Sequence, residues 1–439
     1  MNDANQNPWA ARFEPLLNRM EIRLRAFRSA PSLAGLNALP PEVACTELTG
    51  ALKQVFFPTE QCVTILERFV GAAYAHCLEY YSDGKAFLNG IYSQETPLPL
   101  FSFPVCLTGL AGVGKTGLMH AFARLLPEDS TISVSPDHSP FPLCASWNLT
   151  VQARSGPKDL LRSIAGADGT PRNLIDLCRK RALRNGIALL TVDEFQFATQ
   201  SASANTQVTQ MLLSLGYVGL PFVYAANFSL LLRLMNRPQE DRQRLLGQPI
   251  VLLPELPESA DWCGTLEAQK AVAPDVLNFD PVNDALAIHH YTAGIKRAVV
   301  ELFSIAYRAV RGANRGFLTM QDLEQAYRSG DYTFYRRDAE AIAKQLVTNR
   351  CVRDDLWCPI ELPKSIQEKF SEHARKERDA QVAEVMLVSS MTKAEKQGYL
   401  ELKEKKPKNK KTGNVVAMKK KSMTAEDLVA NANWFTDQL

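Results

Sequence analysis

The stretch CLTGLAGVGKTGLMHAF, Cys106 to Phe122, decides how the chain is read. It places four glycines (Gly109, Gly112, Gly114 and Gly117) and Lys115 between an apolar run and a helical one. Glycine is costly inside a strand or a helix, so this clustering marks a turn whose backbone must approach something closely. By spacing, Gly109, Gly114, Lys115 and Thr116 fit the pattern G-x-x-x-x-G-K-[ST]. Upstream, FSFPVCLT predicts a short buried strand ending at Thr108. Downstream, TGLMHAFARLL carries Leu118, Met119, Phe122, Leu125 and Leu126 at helical spacing. Strand, glycine loop and helix are the context the pattern requires. The loop N–H groups and the helix N-terminus then form a nest for phosphate oxygens. Lys115 is expected to meet the β and γ phosphates of ATP as a compact point charge. The Thr116 hydroxyl is expected to ligate Mg2+, an ion that keeps most of its waters.

A phosphate nest does not by itself hydrolyse anything, and the rest of the chemistry is expected from two later strands. ALLTVDEF sets Asp193 and Glu194 where an apolar run ends. In an open parallel sheet, ligands gather at the carboxyl ends of the strands. Asp193 is expected to hold the magnesium through its waters, and Glu194 to orient and polarise the attacking water. LPFVYAANFS ends a further strand on Asn227. Its amide either hydrogen-bonds the γ-phosphate or the lytic water, or simply forms a turn.

Working outward, residues 1–100 read as a helical N-terminal region in which TEQCVTILERFVGAAYAHCLEYY is capped by Thr59. After a proline-rich link, strands and helices alternate from 101 to 275. FPLCASWNLT reads as the second strand, IALLTVDEF the third, LPFVYAANFS the fourth and QPIVLLPEL the fifth. Gly186 stands where a helix C-terminus prefers glycine. The fold class is therefore α/β, with a parallel sheet covered on both faces. From 276 to 350 a small helical lid follows; Asp280–Pro281 is expected to start its first helix, and Thr319 with Asp322 to form a capping box. Residues 351–439 are polar and then lysine-rich.

Composition excludes several classes. The chain has 439 residues, 46% of them hydrophobic and 22% charged, the balance of a globular protein. No apolar run approaches membrane-span length, so no membrane partner is expected. Nine cysteines without C-x-x-C pairs, and no secretory leader pattern, point to reduced thiols and a cytoplasmic location. Six histidines lack metal spacing, with His289 and His290 read as helix surface and edge, so no metal site made of protein ligands alone is expected. The net charge of +3 hides an asymmetry: residues 401–421 hold nine lysines and two glutamates, leaving −4 for the rest (+3 minus +7). That segment is expected to be a flexible tether. After it, Leu428, Val429, Ala432, Trp434 and Phe435 give a short helix an apolar side, either for a partner's groove or for the lid.

The glycine loop, the Asp193–Glu194 pair and Asn227 together resemble the AAA+ P-loop ATPases, with Asn227 in the place of the first sensor. Within them, the N-terminal helical region, SWNLTVQARSGPKDLL, LPFVYAAN, YTAGIKRAVVELFSIAYRAV and LTMQDLEQAY resemble the TnsC/TniB family of transposition regulators, over about residues 45–330. The resemblance implies a five-stranded sheet in the order 5-1-4-3-2. It also implies a homo-oligomeric ring or filament on double-stranded DNA that joins a target-selection protein to transposase subunits. Arg297 (or Lys296) would be a second sensor on ATP, or else one of a solvated pair. An arginine from the neighbouring subunit would complete each site, with Arg242 and Arg244 favoured among Arg233, Arg237, Arg242 and Arg244. Arg154 and Lys158 would face DNA phosphates, or else form a solvated turn. The glycine loop departs from many AAA+ loops in lacking a proline, which leaves phosphate binding intact. Two other readings share the architecture: a secretion-type ATPase that remodels protein partners, and a helicase-loader-like replication ATPase.

Overall fold

The computed structural model describes residues 7–392 apart from 94, 127, 129, 152–155 and 196–203, and adds 395, 396 and 398. Arg154 and the lysine-rich segment with its terminal helix lie outside the described residues. Residues up to Arg375 form one compact unit; Lys376–Leu439 is a second, described only through the end of the helix Lys364–Ser390 and a few residues beyond.

The strands are β1 (Val105–Gly109), β2 (Ser130–Ile132), β3 (Phe141–Leu143), β4 (Ser146–Thr150), β5 (Leu189–Asp193), β6 (Phe222–Ala226) and β7 (Gln248–Leu252). Five form a parallel sheet in the order β4-β5-β6-β1-β7. Counted as core strands from β7, this is 5-1-4-3-2, the AAA+ P-loop order. Position in the sheet explains composition. β5 and β6 are covered on both faces and read LLTVD and FVYAA, whereas the edge strand β4, SWNLT, stays partly exposed.

FPLCASWNLT is not one strand. Its first three residues form β3, which pairs antiparallel with β2, and the chain breaks at Cys144–Ala145 before β4 enters the parallel sheet. Cys144 N–H instead donates to Asn185 O, and Ala188 N–H to Ala145 O, so this kink holds the edge of the sheet. Asp280 does not start a helix either. Its carboxylate accepts N–H bonds from Val282 and Asn283, both at 2.9 Å, and closes a local turn. The helix begins later, at Ala285. The Thr59 cap, the Thr319–Asp322 capping box and the left-handed Gly186 (φ +64°) form as expected.

The N-terminal helices wrap both halves of the compact unit. Helix Glu60–Tyr80 packs on helix Lys115–Leu125 and on β7, while helix Pro41–Gln54 packs along the lid helix Lys296–Gly312. Thr49 and Ser304 hydroxyls meet across that seam at 2.8 Å. Arg311 donates to Asn37 Oδ1 and Leu39 O, both at 2.9 Å. The proline-rich link is fixed by the buried Arg179, which donates to the carbonyls of Leu98, Pro99, Tyr217 and Val218. Among the described residues no helix is long and apolar enough to cross a membrane.

Candidate functional site

The site is assembled at the carboxyl ends of β1, β5 and β6. β1 ends at Gly109, and the chain turns through Leu110–Gly114 into the helix Lys115–Leu125. Gly109, Gly112 and Gly114 have φ of +157°, +81° and +121°, a region that side chains rarely enter. Space excludes a side chain as firmly as backbone angle does. A Cβ on Gly109 would run into the Leu252 carbonyl of β7; one on Gly112 would lie 2.8 Å from Arg297 Cβ and 3.1 Å from Ile295 Cγ2. The loop is therefore pressed between the sheet and the first residues of the lid helix Lys296–Gly312. Arg297 N–H donates to Gly112 O at 3.1 Å and closes that contact.

Lys115 is buried and donates to Gly109 O and Leu110 O, each at 2.8 Å. Burial lowers its pKa to about 8, with Asp193 opposing and Arg297 reinforcing that shift. A buried cation bonded only to two carbonyls, inside a cradle a methyl group would fill, fits a phosphate chain. Thr116 and Gly117 occupy the first helical turn, where N–H groups lack intrahelical acceptors. These donors fit the same anion, and the Thr116 hydroxyl with the Asp193 carboxylate is an oxygen set suited to magnesium.

β5 lies next but one to β1 and delivers the carboxylates. Asp193 ends the strand, and its Oδ1 accepts Glu194 N–H at 2.8 Å. Glu194 has φ +60°, the left-handed region, which costs a non-glycine residue of order 1 kcal/mol. Burial raises its pKa, helped by Asp193 and opposed by Arg297 and Lys115. These four charged groups thus lie within electrostatic reach of one another. Asn227 follows β6 directly, beside the loop, since Ala226 pairs with Thr108. It stands at the N-cap of helix Phe228–Met235, yet its side chain makes no capping bond. The amide is therefore not consumed by the turn, which favours the functional of its two readings.

The other expected residues divide. Arg297 reaches the loop through its backbone; Lys296 Cδ would lie 3.3 Å from a Cβ on Gly114, so both lid residues cover the cradle. Arg242 and Arg244 are exposed in the last turn of helix Gln239–Leu245, which precedes β7. Because Gln248 pairs with Val105, that helix ends at the opposite end of the sheet from Gly109. Neither arginine can serve its own loop. Arg237 is held by Asp241 at 2.9 Å. Lys158 is exposed in the first turn of helix Pro157–Ala165. His289 is half-buried, its Nε2 3.0 Å from Glu255 O and its ring edge-on to Trp262, rather than at the surface.

One neighbour had no sequence signal. Phe56 lies across Gly117, 3.3 Å from where its Cβ would stand, with the Arg124 and Lys296 cations 5.6 and 5.5 Å from its ring centre. Only the apolar pair Phe56–Phe57 between two helices could have drawn attention to it.

No family model matches the chain, and no curated protein is similar to it. Solved structures are similar at low identity. The Aeropyrum pernix ORC1 protein in complex with DNA is 16% identical over 60% of this chain and 66% of that one, with a TM-score of 0.37. The ADP form of the Aeropyrum pernix ORC2 protein is 15% identical over 73% of this chain and 82% of that one, TM-score 0.38. The Thermotoga maritima RuvB Holliday junction branch migration motor is 12% identical over 63% of this chain and 75% of that one, TM-score 0.34. This chain thus spans just under two thirds of the ORC1 chain's length. Strand order and the glycine loop, rather than these distant likenesses, define the fold.

Proposed function

We propose that this protein is an ATP-hydrolysing AAA+ regulator of transposition, which assembles on duplex DNA and links a target-selection protein to the transposase. The observation that carries the ATPase reading is the convergence of Lys115, the Asp193–Glu194 pair and Asn227 at one end of the sheet, under a lid that touches the glycine loop. Lys115 and the loop N–H groups hold the phosphates. Glu194 accepts a hydrogen bond from the attacking water and draws charge toward its oxygen; Asn227 fixes that water's second direction. Magnesium, when bound through Thr116 and Asp193, supplies charge neutralisation on the phosphate oxygens. Arg242 or Arg244 completes the site of the next subunit, as their exposure at the far end of the sheet suits.

The transposition role is supported by the sequence resemblance, and the DNA role by that resemblance together with Lys158. The test is assembly on random duplex DNA, followed by sedimentation with and without ATP. Wild-type protein should assemble only with ATP, and Glu194→Gln should hold the assembly while phosphate release stops. Assembly that ignores nucleotide, or turnover at the wild-type rate in Glu194→Gln, removes the reading.

A further inference from the structure

Tyr224 is a fully buried residue of β6 whose hydroxyl lies outside the phosphate site. It donates to Leu245 O at 2.8 Å. Leu245 is the last residue of helix Gln239–Leu245, where carbonyls have no intrahelical donor. This bond is therefore a cap, and it fixes where the helix ends. The residue before it, Arg244, is exposed, with its guanidinium carbon 5.9 Å from the Phe101 ring centre.

Tyr224 makes two further contacts. Its ring meets Phe195 edge-on, centroids 5.8 Å apart, and Phe195 directly follows Glu194. Its hydroxyl also interacts with the Cys106 thiol, three residues before Gly109 on β1. One side chain thus touches the strand that feeds the phosphate loop, the residue behind Glu194 and the end of the arginine-bearing helix. A phenylalanine would pack here equally well, so the hydroxyl itself calls for a reason. The geometry points to Tyr224 as a positioning residue, whose hydroxyl fixes the end of helix Gln239–Leu245 so that Arg242 and Arg244 reach the neighbouring subunit's site. This rests on the reading that an arginine from one subunit completes the site of the next.

Mixing of variants separates the two roles of a protomer. Lys115→Ala protomers donate arginines and have no working site; Arg242→Ala/Arg244→Ala protomers have a whole site and donate nothing. Mixed, they should recover ATP hydrolysis that neither has alone. Tyr224→Phe added to the Lys115→Ala donor should lower the recovered rate about tenfold. Added instead to the arginine-less acceptor, it should leave that rate within about twofold, because the acceptor's helix Gln239–Leu245 has no arginine at 242 or 244 left to position. A donor that works equally well with Tyr224→Phe overturns the proposal, and so does an equal loss in both arms, which would mark a structural role. Failure of the parent pair to recover activity overturns the arginine reading first, before Tyr224 is altered, and the proposal falls with it.

Discussion

Lys115 is a cation held out of water by two carbonyls, and its protonation is the part of the site most open to measurement. Its pKa near 8 means that burial disfavours the charged form; phosphate charge would raise that pKa again. Below about pH 8 the lysine is protonated before and after ATP binds, so affinity should not change with pH through this group. Above about pH 8 binding must take up a proton, and affinity should fall by up to about tenfold per pH unit. Calorimetry in two buffers of different ionisation enthalpy checks this: proton uptake near pH 9 and none near pH 7. Lys115→Ala removes the charge partner and should weaken ATP binding at least about a hundredfold; unchanged affinity would take Lys115 out of the site.

At the scale of elements, the lid is not free to move alone. Helix Pro41–Gln54 lies along helix Lys296–Gly312, whose first turn covers Gly112. Thr49→Val and Ser304→Ala should each destabilise the protein by about 1 kcal/mol, and the double variant by less than their sum. Both should also weaken ATP binding, because the lid residues that press on the loop lose their backing. Denaturation and binding measured on the three variants test the coupling. What the sequence makes legible follows the same scale. The glycine loop and Asp193–Glu194 are readable because their chemistry depends on residues adjacent in the chain. Arg297 reaches Gly112 across nearly two hundred residues, and only a family resemblance anticipates such a contact. Phe56 belongs to no motif, since its role depends on where two helices happen to bring it. The break at Cys144–Ala145 is hidden because Phe141, Leu143, Ala145, Trp147 and Leu149 keep one alternating apolar pattern through it. The helix Lys364–Ser390 went unanticipated because its polar sequence lacks a broad apolar stripe.

For the whole molecule, the charge distribution constrains the proposed contact with nucleic acid. Outside residues 401–421 the chain sums to −4, so a body of this charge gains little from nonspecific attraction to phosphate. DNA affinity should therefore come from assembly, with a few basic groups such as Lys158 repeated along the oligomer. It should be indifferent to sequence and fall as salt rises, with a steeper slope for assembled protein than for monomers. Filter binding across a salt series, with and without ATP, measures both slopes; a slope independent of ATP would place the contact in the lysine-rich segment.

Glu194 sits in a backbone conformation that glycine adopts without penalty. A chain selected for heat resistance alone would gain by relaxing that backbone strain. Glu194→Gly should melt at a temperature at least equal to the wild type, and by about one or two degrees higher, while hydrolysing nothing. The same substitution would thus improve the protein by one measure and abolish it by another. That opposition is the signature of a residue kept for work rather than for durability. Differential scanning calorimetry beside a phosphate-release assay reads both at once.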